Sequence, residues 1–204
     1  MMYHKYQQQF FNLPVVFYTD FQKMMLDCDV VVTIGGDGTI IHAAKHAAAA
    51  HKPLLGINLG RVGFVAELEP EELGRLKDLV KGDYQVEKRM MLSVSIRGEQ
   101  ITKQIYALND AVISRGSLSR MIDIHVGFHQ DKMFHYRADG LVISTPTGST
   151  AYSLSAGGPV IEPTMRCMLL TPICPHSLFS RPILFREEAA LTIQAEAGSD
   201  GPAF

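Results

Sequence analysis

Little in this chain marks a specialised environment. Its three cysteines, Cys28, Cys167 and Cys174, are an odd number with no CxxC pair. That argues against a disulfide framework and a zinc knuckle, and fits a reducing compartment. No run approaches the ~18 apolar residues of a membrane-spanning helix. The opening MMYHKYQQQFF lacks the apolar stretch of a secretory signal. Together these absences read as a soluble, cytoplasmic protein without a membrane partner. Neither sign of charge dominates: 19 basic residues against 21 acidic leave a net charge of −2. Without a basic field, composition offers no support for a nucleic-acid partner. No repeat, low-complexity segment or Pro/Ser-rich linker interrupts the chain. What is present is 204 residues, 47% of them apolar, enough to bury one good core or two small ones.

The sequence turns on residues 29–39, DVVVTIGGDGT. Val30, Val31, Val32 and Ile34, interrupted by Thr33, read as a buried parallel strand. The run breaks at Gly35-Gly36-Asp37-Gly38, and residues 39–51, with six alanines, favour a helix. A strand that feeds a glycine turn opening a helix suits phosphate, because glycine lets backbone approach and free N–H groups face the anion. This is neither a Walker loop, since no Gly-Lys-Ser/Thr follows, nor a GxGxxG turn. A carboxylate among phosphate-binding glycines repels an anion unless a metal or a substrate hydroxyl lies between. Asp37 is therefore the residue to which chemistry is assigned, although Asp-Gly alone is also a common turn pair. Gly35, Gly36 and His42, one turn into the helix, are assigned to the phosphate side. His42 and His46 share a face at i, i+4 but have no third ligand, so no metal site is assigned.

Taken in order, residues 13–18 read as a strand, residues 21–27 as a short helix, residues 53–58 as the next parallel strand, and residues 70–81 as a helix opened by Pro70. Phe64 reads either as a core aromatic or as a lid on an adenine ring. From Tyr84 the texture changes to alternation, with strands expected from Val86 through Ile96 and over residues 104–114 and 121–129. The last of these joins residues 133–136 through Gln130-Asp131-Lys132. Strands also fall at residues 141–144, 167–170 and 190–195. Closely spaced strands without helices imply an antiparallel sandwich. The expected organisation is α/β plus all-β: a Rossmann-like phosphate-binding domain over residues 1–84, then a β-sandwich-like domain over residues 85–204.

A second constellation spans residues 136–159, YRADGLVISTPTGSTAYSLSAGGP. Composition alone fits a surface loop, but apolar strands flank it, and it carries one Arg, one Asp and Tyr152 among many hydroxyls. Carboxylates accept from ribose hydroxyls, and tyrosine packs on a ring while hydrogen-bonding. Cys174, between this region and His176, reads as an inert buried cysteine rather than a reactive thiol.

GGDGT at 35–39, NLGRVGF at 58–64, LND at 108–110, the run at 139–159 and TPICPHSL at 171–178 occur in this order in NAD kinases. The chain resembles that family over roughly residues 29–195. GGDGT alone also occurs in phosphofructokinases and in diacylglycerol or sphingosine kinases, but the long run is not expected there. The resemblance implies transfer of the ATP γ-phosphate to the adenosine ribose 2′-hydroxyl of NAD, with Mg²⁺ carried by ATP and a homodimer or homotetramer. By position it implies Asp37 as catalytic base with Gly38 beside it, and Phe64 on the adenine side. It further implies nucleotide contacts at Asn109, Asp110, Arg120, Arg137, Asp139, Thr147, Thr150, Ala151, Tyr152, Ser153, Leu154, Ser155 and Cys174. Family members are usually longer at both ends, so the first domain is expected to be abbreviated and the second truncated. The alternatives are a non-catalytic NAD/NADP-binding short form and, against the 139–159 run, a lipid kinase.

Overall fold

The computed structural model describes residues 16, 18–59, 63–97, 102–115, 120–128, 131–177 and 180–197. Most of the strand expected at 13–18 lies outside these residues, as do Gly60, Arg61, Gln130 and the tail from residue 198. The chain divides into two compact units, Met1–Tyr84 and Gln85–Phe204. No helix among the described residues is long and apolar enough to cross a membrane.

In the first unit, helix α1 (Phe21–Asp27) is capped by the Asp20 carboxylate, which accepts from the amides of Gln22 and Lys23. Strand β1 (Val31–Gly35) runs into helix α2 (Asp37–Ala49), and strand β2 (Leu54–Asn58) returns parallel to β1, with Val31 opposite Leu54 and Gly35 opposite Asn58. Ile40 of α2 is buried against Gly56, where an added Cβ would stand 2.6 Å from Ile40 Cδ1. The expectation that β1 is buried throughout does not hold: Thr33 is buried, whereas Val32 and Ile34 are exposed. Strand alternation puts Thr33 on one face and the two apolar residues on the other, so an apolar run need not mean two covered faces.

The helix expected over 70–81 is a 3₁₀ stretch (Pro70–Arg75) followed by α3 (Leu76–Lys81). Pro70 opens it, Glu69 and Glu72 form a reciprocal capping box, and Gly82 closes it in the left-handed conformation at φ 75°.

The second unit is an antiparallel sandwich. Its strands are β3 (Leu92–Arg97), β4 (Thr102–Ala107), β5 (Asp110–Ser114), β6 (Ile122–Phe128), β7 (Asp131–Ala138), β8 (Gly140–Ser144), β9 (Cys167–Ile173), β10 (Ile183–Arg186) and β11 (Leu191–Ala197). They form a sheet ordered β10-β9-β8-β5, a sheet ordered β11-β6-β7 and the hairpin β3-β4. The core lies between the larger sheets: Leu141, Ile143, Met168 and Leu170 from one meet Ile124, Val126, Tyr136 and Ala138 from the other, with Leu92 of β3.

Five expectations change here. The strand beginning at Val86 begins at Leu92, and Val86 is exposed. Residues 104–114 are two strands in different sheets, broken at Leu108 and Asn109. Asp131 and Lys132 pair within β7 rather than forming the turn. The strands expected at 167–170 and 190–195 are longer, and β10 was not foreseen.

Candidate active site

At the glycine turn the positions differ in kind. A Cβ on Gly35 would meet Thr39 Oγ1 at 2.6 Å, so packing demands glycine there. Gly36 is the N-cap of α2, and its carbonyl accepts from the amides of Thr39 and Ile40. Added Cβ atoms on Gly36 or Gly38 would meet nothing within 4 Å. Those two glycines leave backbone open at a helix start, the form that lets an anion approach.

Asp37 sits in the first turn of α2 and is partly exposed. Its carboxylate accepts from the Phe64 amide at 3.0 Å and, more weakly, from the Val65 amide at 3.4 Å. A Cβ on Gly63 would fall 2.1 Å from Asp37 Oδ1, so only glycine admits the carboxylate at this distance. Gly63 and these two amides hold Asp37 from 26 to 28 residues away. A backbone donor has no signature in sequence, and sequence reasoning missed it. Phe64 is 70% exposed, which sets aside its reading as a core aromatic. The His42 ring lies edge-on to His46 at 5.3 Å, and His46 edge-on to Phe21 of α1 at 5.0 Å. Among the described residues no three His, Cys, Asp or Glu side chains converge as a metal cage.

In the second unit the candidate residues gather at two ends of β8. At one end Asp110 pairs with Ser144. The chain between β4 and β5 is clamped there by the loop after β8: Thr145 Oγ1 donates to Leu108 O at 2.5 Å, and the Thr145 amide donates to Asn109 O at 2.8 Å. A Cβ on Gly148 would lie 2.1 Å from Asn109 O. Residues 147–150 form a 3₁₀ turn leading to the one-turn helix α4 (Tyr152–Ser155).

The Tyr152 amide donates to the Asp110 carboxylate, but burial outweighs it and raises the Asp110 pKa above the ordinary carboxylate value. Asn109 Oδ1, Ser144 Oγ and Thr147 Oγ1 are buried without a hydrogen-bond partner among the described residues. Such groups call for a polar partner. Ser153 is turned inward, its Oγ 2.8 Å from Thr171 Oγ1. Thr150 Oγ1 donates to Thr147 O at 3.4 Å, Ala151 is half-buried, and Tyr152, Leu154 and Ser155 are exposed.

At the other end Gly140 pairs with Ser114 and Ile173. Asp139 pairs with Arg115, Nε to Oδ1 3.3 Å, a partner that sequence reasoning missed. The Arg137 carbonyl accepts from the His176 amide at 2.7 Å. Cys174 follows β9 at φ 45°, in the left-handed region uncommon for a side-chain-bearing residue, and is exposed rather than buried. It is Cys167 that is buried, and burial raises its thiol pKa. Arg120 is exposed just before β6, at the end where Ile122 pairs with Ala138. The structure therefore joins Asn109 and Asp110 to residues 147–152, and Arg137 and Asp139 to the region of Cys174. The four intervals of β8 separate the two groups by about 13 Å.

Comparison with known proteins decides the family. Residues 14–84 match the ATP-NAD kinase N-terminal domain, and residues 108–203 match the ATP-NAD kinase C-terminal domain. The fold matches the crystal structure of an NAD kinase from Archaeoglobus fulgidus in complex with ATP, with TM-score 0.72 and 30% identity, over 95% of this chain and 76% of that one. The chain belongs to the NAD kinase family. Other members of the family agree. The NAD kinase of Desulforamulus reducens is 44% identical over 175 residues, 85% of this chain and 61% of its own. That of Geobacter sulfurreducens is 46% identical over 168 residues, 81% of this chain and 59% of its own. Yeast NADH kinase, solved with NADH, superposes with TM-score 0.83 at 29% identity, over 96% of this chain and 60% of that one. The chain thus spans about three fifths of the length of the curated NAD kinases it matches.

Proposed function

We propose that this chain is an ATP-dependent NAD kinase that transfers the ATP γ-phosphate to the adenosine ribose 2′-hydroxyl of NAD, giving NADP. The observation that carries the reading is Asp37: a partly exposed carboxylate at the start of α2, held by the 64 and 65 amides, between glycines that leave the backbone open. In this role Asp37 accepts the proton of the ribose hydroxyl, and the amides keep its orientation. Little covalent chemistry falls to protein in phosphoryl transfer, so positioning and charge neutralisation supply most of the rate. The first unit is read as the phosphate- and nucleotide-binding domain, with Gly35, Gly36, Gly38 and His42 on the phosphate side and Phe64 on the adenine side. The second is read as the NAD-binding domain. There Asn109, Asp110, Thr147 and residues 150–155 contact nucleotide at one end of β8, and Arg120, Arg137, Asp139 and Cys174 at the other. Support for a polar ligand comes from the buried oxygens of Asn109, Ser144 and Thr147, which have no partner among the described residues.

Mg²⁺ fits as an ion carried by the triphosphate, which neutralises phosphate charge, because the described residues offer no acidic cage. The same reading places the protein in the cytoplasm as a homodimer or homotetramer.

The test is NADP formation from NAD and Mg-ATP by the 204-residue chain beside Asp37→Asn, which keeps an acceptor for the two amides but takes up no proton. Turnover in the wild type, falling about 10²- to 10⁴-fold in Asp37→Asn, supports the reading. No turnover while NAD still raises the melting temperature would overturn it in favour of a binding-only form. Diacylglycerol or sphingosine phosphorylated without a response to NAD would favour the lipid-kinase alternative.

A further inference from the structure

The outward face of the β11-β6-β7 sheet carries a charged array of which the proposed function uses Arg137 alone. Ile122, Ile124 and Val126, Phe134, Tyr136 and Ala138, and Leu191 and Ile193 belong to the core. Alternation therefore turns Asp123 and His125, His135 and Arg137, and Gln194 and Glu196 to the other side. Register sets these in two rows, Glu196–Asp123–Arg137 and Gln194–His125–His135. Residues directly opposite across antiparallel strands have Cβ atoms only about 4.5–5.5 Å apart. Within the array His135 Nε2 lies 2.9 Å from Asp123 Oδ1, along the diagonal. The His125 and His135 rings stack at 4.7 Å with 20° between their planes, which fixes the His135 ring over the sheet.

One carboxylate, Asp123, thus bonds His135 and faces Arg137 across the strand register. Arg137 is directly opposite Asp123, His135 is diagonal to it, and Glu196 stands on the far side as a second negative charge. Other charged or titratable groups near it among the described residues are His125 on β6, Arg120 just before β6 and, after β9, His176, whose amide bonds the Arg137 carbonyl.

We propose that Asp123 and His135 are positioning residues for dinucleotide binding, and that they apportion the Asp123 charge between His135 and Arg137. A protonated His135 draws that charge to itself, so Arg137 pulls harder on an anionic group of NAD. A neutral His135 leaves the charge to Arg137, which then holds NAD less tightly. The inference rests on the reading of Arg137 as a nucleotide contact, and its test separates the two.

NAD affinity of the full chain is measured by calorimetry between pH about 5.5 and 8, across the interval in which histidine side chains change charge. The wild type is expected to bind about two- to fivefold more tightly at the acid end, the range of a partly exposed ion pair. His135→Gln, which hydrogen-bonds without charge, removes the slope and fixes the weaker affinity. His135→Lys, permanently charged, removes it and fixes the tighter one. Arg137→Ala is weak at both ends. A slope that persists in His135→Gln, or a His135→Lys as weak as His135→Gln, overturns the coupling while Arg137 keeps its role. An Arg137→Ala that binds like the wild type overturns the reading of Arg137 and the coupling with it.

Discussion

Asp110 holds its proton to higher pH than an ordinary carboxyl because burial penalises its charged form, and the Tyr152 amide compensates only in part. A carboxyl whose pKa is higher folded than unfolded binds more protons in the native state, so its contribution falls as pH rises. That contribution is complete below the ordinary value of about 3.9 and is lost as pH passes through the raised native value. Asp110→Asn keeps an oxygen for the Tyr152 amide and has no charge to bury. The gap in melting temperature between Asp110→Asn and the wild type is therefore expected to widen in the variant's favour from pH about 4 to about 7. Thermal unfolding over that interval checks it. A gap that stays constant with pH would mean that ionisation of Asp110 costs the native state nothing. A stabilising substitution of this kind, at a residue read as a nucleotide contact, is what a site that trades stability for ligand binding should show.

The break between β4 and β5 shows why some elements are legible in sequence and others are not. Residues 104–114 are mostly apolar, contain no glycine or proline, and read as one strand, yet β4 pairs with β3 and β5 with β8. The decision is made about 37 residues later, by Thr145 and Gly148 closing on Leu108 and Asn109. Tertiary contacts of this kind leave no local pattern. By contrast β1, its glycine turn, α2 and β2 are legible because strand run, breaker and alanine-rich helix follow one another within thirty residues. The four-residue β10 is too short to show a period. For the candidate site, Asp37 is visible as an anomaly among glycines, while the backbone donors that hold it are not.

Thr145→Val tests the clamp. It removes the hydroxyl that donates to Leu108 O and accepts from the Gly148 amide, leaving two buried groups unpaired at a cost of about 2–4 kcal/mol. Thr145→Ser keeps both bonds and is expected to cost less than about 1 kcal/mol. Urea unfolding compares them, and equal losses would show that the clamp is methyl packing rather than hydrogen bonding.

In the second unit as a whole, residues read as nucleotide contacts lie in two groups about 13 Å apart along β8. Asn109 and Asp110 join residues 147–152 at one end, while Arg137, Asp139 and the region of Cys174 occupy the other. Two groups at opposite ends of one strand, in a chain read as a homo-oligomer, lead to a definite expectation: each dinucleotide is held by one end of one copy and the opposite end of another. A two-fold arrangement satisfies this symmetrically, since each copy gives one end to each of two sites. Asn109→Ala and Arg137→Ala should each abolish tight NAD binding alone. Unfolded and refolded together in equal amounts, they should regain it at about one quarter of the sites, because half the dimers are mixed and each carries one site with both ends intact. Calorimetric stoichiometry on the mixture reads this directly. If the mixture stays as weak as either variant, while sizing shows that the copies do associate, both ends serve a dinucleotide held within a single copy.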